Sequence, residues 1–115
     1  MVVDDEEALR MLVRTLLLKQ GHEVTEVESC GALRKAFGGP PPDLVLLDLM
    51  LPDGNTIHLL PDLKSAWPRT KVIILTGHAT VDAVESAYRN ADVLWLNKPF
   101  DASVLTAMVE LALAS

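Results

Sequence analysis

The sequence predicts an α/β fold in which one parallel sheet carries helices on both faces. Three short runs are continuously apolar, which is typical of strands buried on both sides: LVLL at 44–47, VIIL at 72–75 and VLWL at 93–96. Segments with the apolar spacing of helices alternate with these runs. Strands that alternate with helices indicate parallel pairing through crossover helices. At 115 residues the chain suits one domain with a substantial core.

Two further strands complete a predicted set of five. Val2–Val3 is only a stub, and HEVTEVE at His22–Glu28 is a mixed run that suits a sheet edge. The stub is shorter than a typical strand, so we expect it to weaken the centre of the sheet. GGPPPD at 38–43 predicts a loop.

Helices are predicted in the five segments that follow the strands. Asp5, Ser29 and Asp101 precede the first, second and fifth segments and are expected to cap them, while Gly21 is expected to end the first. The apolar positions that define these segments are Leu9, Leu12, Val13, Leu16 and Leu17; Leu33, Ala36 and Phe37; Leu59, Leu60, Leu63 and Ala66; Val81, Val84 and Tyr88; and Val104, Leu105, Met108, Leu111 and Ala112.

The third helical segment contains a proline. Pro61 falls inside the pattern, and Trp67-Pro68 is expected to close it. Because proline removes a backbone donor and crowds the preceding turn, we expect this helix to begin near Pro61 or to be distorted.

Composition excludes several classes of protein. The formal net charge is −6, which argues against nucleic-acid binding by this segment. Cys30 is the one cysteine, so an internal disulfide is impossible and a small buried hydrophobe is the expected role. No apolar run reaches the length of a membrane span and no signal peptide opens the chain, so the expected location is the cytoplasm.

Polar residues follow four of the predicted strands. Asp4-Asp5 follows the first, Asp48 the third, Thr76 the fourth and Asn97-Lys98 the last. The carboxyl ends of parallel strands meet at one edge of the sheet, where ligands bind in such folds. Three carboxylates brought together there need a positive partner, and Mg²⁺ prefers oxygen ligands and leaves room for a phosphate.

This set of residues suits phosphoryl transfer, which depends mainly on positioning and charge neutralisation. Asp48, alone at the end of its strand, is expected to be the nucleophile that forms an aspartyl phosphate. Lys98 is expected to meet one phosphoryl oxygen, and Thr76 to hydrogen-bond another. Taken singly, Asp4-Asp5 is more simply a helix cap, Thr76 a strand-end hydroxyl and Lys98 a surface lysine; the functional interpretation depends on their combination. His78 is interpreted as a loop histidine at the rim of the site. Asp53 is interpreted as a turn residue of the PDGN segment.

Four motifs strongly resemble the receiver domain of two-component response regulators. They are VVDDEEALR, LVLLDLMLPDG, VIILTGHA and VLWLNKPF, and the resemblance covers essentially the whole chain. It implies a flavodoxin-like, doubly wound, five-stranded parallel sheet with strand order 2-1-3-4-5. It also implies a phospho-accepting signalling switch, not an enzyme, that takes its phosphoryl group from a sensor histidine kinase or a phosphotransfer protein.

The resemblance assigns further roles. Asp4 and Asp5 match the acidic pair that binds Mg²⁺ with Asp48, and Met50 would add its backbone carbonyl; we expect Asp5 to ligate directly and Asp4 through water. Thr76 matches the switch hydroxyl and Lys98 the phosphate-contacting lysine. The Lys98-Pro99 bond would be cis, as is usual in the family.

The resemblance also predicts how the signal leaves the site. Trp95 stands where the family has its switch aromatic, more often Phe or Tyr. We expect it to turn inward on phosphorylation and to change the surface formed by the fourth helix, the last strand and the fifth helix. That surface would bind a second copy of the domain or an output domain. Met50 and His78, two residues beyond Asp48 and Thr76, would flank the phosphoryl group and govern its hydrolysis.

Some positions depart from the family pattern. Thr56 stands where glycine is usual, and receivers usually begin a few residues earlier than the stub at Val2–Val3. We expect residues 1–115 to form a single receiver domain whose output domain is absent or removed.

Two other functions are open to test. A phosphatase of the haloacid dehalogenase type would need a second Asp where Met50 stands, and a degenerate receiver that serves only as an interaction module would normally have lost an acid or the lysine.

Overall fold

The computed structural model describes residues 1–77 and 93–114. The first half contains β1 (Val2–Val3), α1 (Glu7–Lys19), β2 (Glu26–Val27), α2 (Cys30–Ala36) and β3 (Leu44–Asp48). A small ribbon follows, made of β4 (Met50–Leu51) and β5 (Gly54–Asn55), and then a 3₁₀ helix (Thr56–Leu59), α3 (Leu60–Ala66) and β6 (Lys71–Thr76). The last elements are β7 (Val93–Asn97) and the C-terminal helix (Ala102–Ala114). The fourth predicted helix lies outside the described residues.

Five strands pair in parallel in the order β2-β1-β3-β6-β7, which confirms the predicted order 2-1-3-4-5. β1 is as short as the sequence predicts, with Val2 paired to Leu46 and Val3 to Leu47. Of the predicted edge strand at His22–Glu28, only Glu26–Val27 pairs. β1 offers these two residues an equally short partner, so the edge strand is short as well.

Two apolar clusters cover the two faces of the sheet. One joins β-strand residues to α2 and α3, and the other joins them to α1 and the C-terminal helix. Val45 and Leu47 contribute to the first cluster, and Leu44 and Leu46 to the second, because neighbouring strand residues point to opposite faces. This two-sided burial explains why these strands are continuously apolar. Among the described residues, no helix combines the length and apolar character that a bilayer-spanning segment needs.

Helix ends agree with the sequence at most positions. Ser29 caps α2 through a hydrogen bond from the Ala32 N–H, 3.1 Å, and Gly21 follows α1 with a positive φ of 88°. α3 begins at Leu60, so the expected late start near Pro61 is confirmed. The prediction that Asp5 caps α1 is wrong: the N-cap residue is Glu6, which makes no side-chain capping bond, and the Glu6 N–H donates to Asp4 Oδ1 at 2.9 Å.

The predicted apolar face of the C-terminal helix is partly wrong. Leu105, Val109 and Ala112 are its buried residues, whereas Val104 is 43% and Leu111 is 60% exposed. Ten of the 13 residues of this helix are Ala, Val, Leu or Met, so the periodicity of the sequence distinguishes one face from the next only weakly.

The β4–β5 ribbon is anchored to α2 by Asp53, whose predicted turn role is only part of what it does. Asp53 Oδ1 accepts the Cys30 N–H at 2.9 Å, and Oδ2 accepts the Gly31 N–H at 3.0 Å. With the Ser29 hydroxyl on Ala32, side chains therefore accept the first three N–H groups of α2.

Candidate functional site

Three carboxylates meet at the carboxyl edge of the sheet. Asp4 and Asp5 follow β1 and Asp48 ends β3, and β1 pairs with β3, so the fold brings the three together. One oxygen from each lies within 4.8 Å of the others. Asp4 is completely buried, Asp48 is 8% exposed and Asp5 is exposed. Hard divalent cations such as Mg²⁺ take oxygen ligands of this kind, so the cluster could hold a metal.

Lys98 lies against this cluster as the sequence predicts. Its Nζ is 2.7 Å from Asp4 Oδ2 and 3.2 Å from Asp48 Oδ2. The Lys98 N–H donates to the Thr76 carbonyl at 2.8 Å, and the Lys98-Pro99 peptide bond is cis as predicted. Lys98, directly after β7, therefore points toward the ends of β1 and β3.

Burial and charge oppose each other at Asp48. Burial and the neighbouring charge of Asp4 raise the pKa of Asp48, although Lys98 and the Met50 N–H favour its ionised form. At Lys98, burial disfavours the ammonium, but the hydrogen bond to Asp4 and the charge of Asp48 outweigh it and raise the pKa of the lysine. Lys98 therefore stays protonated across the physiological range. The carboxylates and this ammonium together carry a formal charge of −2, which one divalent cation would neutralise.

The backbone after Asp48 is held close to its side chain. The Met50 N–H donates to Asp48 Oδ1 at 3.3 Å, while the Met50 side chain is 56% exposed. The Thr56 hydroxyl lies 2.5 Å from the Asp48 carbonyl oxygen. In the sequence, Thr56 is only a departure from a family pattern. This contact is not predictable from the sequence, because it depends on the tight turn of the β4–β5 ribbon.

The remaining predicted site residues are only partly brought together. Thr76 is buried at the end of β6 and pairs with Asn97 in β7, next to Lys98. Trp95 is half-buried in β7, pairs with Ile74 and packs against the apolar cluster that contains α2 and α3. The switch roles of Thr76 and Trp95, and the metal role of the Met50 carbonyl, stay predictions. His78 lies outside the described residues.

Comparison with known proteins decides the family. The protein-family model of the response regulator receiver domain matches residues 1–110. The chain belongs to this family. The receiver domain places it in two-component signalling, as the four motifs predict.

The receiver domain is similar to curated transcriptional regulators and to solved receivers. It is 34% identical over 113 residues to the DNA-binding transcriptional regulator NtrC of Escherichia coli K12, covering 98% of this chain and 24% of NtrC. NtrC of Proteus hauseri is 32% identical over 112 residues, again covering 24% of the relative. The chain thus spans about a quarter of the length of these relatives.

Solved structures agree with the fold. The receiver domain of NtrX from Brucella abortus superposes with a TM-score of 0.84 at 33% identity, covering 99% of this chain and 97% of that one. A CheY-like receiver domain protein from Methanospirillum hungatei JF-1 superposes with a TM-score of 0.91 at 25% identity, covering 98% and 90%.

Proposed function

We propose that this receiver domain accepts a phosphoryl group on Asp48 from the phosphohistidine of a sensor histidine kinase or a phosphotransfer protein. One observation carries the proposal: a single ammonium, on Lys98, contacts two of three clustered carboxylates. Such a site combines a nucleophile, a fixed cation and oxygen ligands for a metal, which phosphoryl transfer requires.

In the proposed reaction a carboxylate oxygen of Asp48 attacks phosphorus. A P–O bond forms as the P–N bond to the donor imidazole breaks, and the imidazole leaves with the bonding electron pair. Lys98 contacts Asp48, which supports a role in which its ammonium would meet a phosphoryl oxygen. The buried Thr76 hydroxyl would hydrogen-bond another.

Asp4, Asp5, Asp48 and the Met50 carbonyl would hold Mg²⁺. When bound, the ion would supply positive charge to the phosphoryl oxygens. Asp5 is the exposed member of the cluster, while Asp4 already accepts bonds from Lys98 and from the Glu6 N–H. This supports direct ligation by Asp5 and a water-mediated role for Asp4.

Labelling with a small phosphodonor tests the proposed phosphoacceptor. Acetyl phosphate with Mg²⁺ should add one phosphoryl group, and intact-protein mass spectrometry should detect it. Asp48→Asn should abolish the addition, while Asp62→Asn, at an exposed position on α3, should leave it intact. Undiminished labelling of Asp48→Asn would reject the phosphoacceptor. A parent that is never labelled would favour the alternative of a receiver that acts only as an interaction module.

A calorimetric Mg²⁺ titration tests the metal site separately. Asp5→Asn should weaken binding about 10-fold or more, as loss of a metal-site partner typically does. Asp101→Asn removes an exposed carboxylate outside the cluster and should bind like the parent. Equal affinities of the two variants would reject Asp5 as a ligand.

The proposed output is a change at β7 and the C-terminal helix, together with the predicted fourth helix. Trp95 is half-buried, and the exposed Val104 and Leu111 share one side of the helix with Met108 by their spacing. These apolar groups support a surface for a second copy or for an output domain. Because the relatives are DNA-binding regulators, we propose that residues 1–115 form one cytoplasmic receiver unit that controls such an output without touching DNA itself.

Tryptophan fluorescence tests the switch. Beryllofluoride with Mg²⁺ should shift the emission of the parent, and the shift should vanish in Trp95→Phe. Trp67, which is 2% exposed and packed edge-on against Phe37, supplies a constant background. An unchanged shift in Trp95→Phe would mean that Trp95 is a fixed part of the core.

The exposed Met50 side chain supports a role in phosphate lifetime. An apolar side chain beside the phosphoryl group would exclude the attacking water. Met50→Asn should therefore change the rate of dephosphorylation while Mg²⁺ affinity stays nearly the same. Identical dephosphorylation rates would reject this role.

A further inference from the structure

Thr56 makes its hydrogen bonds to the backbone of the phosphoacceptor, not to the side chains of the site. Its Oγ1 lies 2.5 Å from the Asp48 carbonyl oxygen and 3.2 Å from the Leu49 carbonyl oxygen. The Thr56 N–H also donates to the Leu49 carbonyl, at 2.8 Å. The residue is completely buried, so water cannot replace these partners. Thr56 therefore holds two successive peptide groups directly after the site aspartate.

The second of these peptide groups also reaches the site carboxylate. The Leu49 carbonyl and the Met50 N–H belong to one planar, trans peptide unit, so they point in opposite directions. Thr56 holds the carbonyl end of this unit, and the Met50 N–H at the other end donates to Asp48 Oδ1 at 3.3 Å. Fixing the direction of the carbonyl thus fixes the donor that orients the carboxylate.

The hydroxyl adds a constraint that a glycine at this position would lack. Any residue except proline supplies the N–H that binds the Leu49 carbonyl. Only a side-chain donor can also bind the Asp48 carbonyl and so hold the peptide unit on the other side of Leu49. Threonine additionally narrows the backbone freedom that glycine would allow.

We infer that Thr56 is a positioning residue for Asp48: its hydroxyl fixes the backbone from which the reacting carboxylate projects. The inference rests on the proposed phosphoacceptor role of Asp48 and deepens it. A misplaced carboxylate reacts more slowly, because transfer requires the attacking oxygen to lie in line with phosphorus.

The rate of phosphorylation by acetyl phosphate at saturating Mg²⁺ tests this inference. Thr56→Val preserves the shape of the side chain and removes the hydroxyl, and it should slow labelling of Asp48 about 5- to 10-fold, the size expected for losing one positioning hydrogen bond. Thr56→Ser restores the hydroxyl and should bring the rate back to within about twofold of the parent.

The chain offers a matched control in Thr70. It is 2% exposed, and its hydroxyl donates to the Pro42 carbonyl at 2.6 Å, at the opposite edge of the sheet. Thr70→Val removes the same kind of buried bond and should lower the thermal stability similarly, yet label at the rate of the parent. All rates are measured at a temperature where circular dichroism shows each variant to be folded.

A second readout is independent of phosphorylation. In metal-free ¹H–¹⁵N spectra the amide resonance of Met50 should move in Thr56→Val and stay in place in Thr70→Val. If Thr56→Val does not fold, Thr56→Ala removes the hydroxyl from a smaller side chain and takes its place in both experiments.

The outcomes separate the inference from the proposed function. An unlabelled parent would overturn the phosphoacceptor role of Asp48. A labelled parent with equal rates in Thr56→Val and Thr70→Val, an unmoved Met50 amide in Thr56→Val, or a Thr56→Ser variant as slow as Thr56→Val would overturn the role of Thr56 alone.

Discussion

Two clusters of opposite charges in this receiver domain differ in how deeply their carboxylates are buried. At the carboxyl edge of the sheet, Lys98 lies 2.7 Å from Asp4 and 3.2 Å from Asp48, and both carboxylates are buried. At the β2 edge, Glu26 forms ion pairs with Arg10 at 3.3 Å and with Arg14 at 3.8 Å, and its side chain is 32% exposed. We call these the site cluster and the edge cluster.

The difference shows what burial does to the same chemistry. In the edge cluster, the side chains of Glu26 and Arg14 are 32% and 54% exposed, so water can solvate either charge when their ion pair is lost, and this pair contributes little to stability. In the site cluster, each buried carboxylate depends on Lys98, and the pKa of Asp48 is raised in spite of that lysine. The site cluster thus keeps an excess of negative charge that a divalent cation and a phosphoryl group could use.

The largest expected effect comes from removing the cation of the site cluster. Lys98→Met should lower the free energy of unfolding by about 3 kcal/mol at pH 7 without metal, because two buried carboxylates lose their partner. Since the pKa of Lys98 is raised, its contribution is complete below the unfolded lysine value of about 10.4 and is lost only as pH rises through the folded value. Urea denaturation measures the change.

Arg14→Met is the matched substitution in the edge cluster. Its side chain is 54% exposed, so the loss should stay below about 1 kcal/mol. Equal losses in the two variants would show that the site cluster is as well solvated as the edge cluster.

A smaller effect of opposite sign is expected at Asp48. Because the folded-state pKa of this carboxyl is raised, its ionised form costs stability, and that cost appears as pH rises from the unfolded value of about 3.9 through the folded value. Asp48→Asn should therefore be more stable than the parent by roughly 1 kcal/mol at pH 7 without metal, the usual size of a gain at a strained functional site. The advantage should vanish below about pH 3.9.

Two controls sharpen this comparison. Saturating Mg²⁺ should reduce the advantage of Asp48→Asn, because a ligand that binds the parent more tightly stabilises it more. Glu26→Gln, in the edge cluster, should bring no gain at pH 7, since the charge of Glu26 is already paired with two arginines. A less stable Asp48→Asn at pH 7 would mean that Lys98 already compensates the buried charge fully.

The sequence predicts the site better than it predicts the segment that supports it. Asp48 and Lys98 are predictable because continuous apolar runs mark where their strands end, and Asp4 because it follows the stub Val2–Val3. Parallel pairing brings those ends together. The hydroxyl contact of Thr56 is not predictable, since it depends on the path of the β4–β5 ribbon between Asp48 and Thr56. Strands of two residues, such as β4 and β5, are too short to show a periodic pattern in the sequence.

The contacts of Asp53 are also not predictable from the local sequence. Its position in PDGN predicts a local turn, whereas its carboxylate reaches N–H groups 22 and 23 residues earlier in the chain. Capping between distant segments leaves no local pattern, because the acceptor and the helix that it caps are brought together only by the completed fold.

The smallest expected effect distinguishes two exposed carboxylates. Asp53 binds the first two N–H groups of α2, whereas Asp62 forms one 3.4 Å ion pair with Arg34 in which both side chains are more than half exposed. The N–H bonds from Cys30 and Gly31 lower the pKa of Asp53, so its contribution to stability is present above the unfolded pKa of about 3.9 and is lost as pH falls through the folded-state pKa.

Asp53→Asn should melt at a lower temperature than the parent at pH 7, with a smaller decrease than Lys98→Met shows. The melting temperatures of Asp53→Asn and the parent should converge as the pH falls below the folded-state pKa of Asp53. Asp62→Asn should melt like the parent throughout. A pH-independent difference for Asp53→Asn would mean that the shape of the side chain, and not its charge at the start of α2, holds the ribbon to the helix.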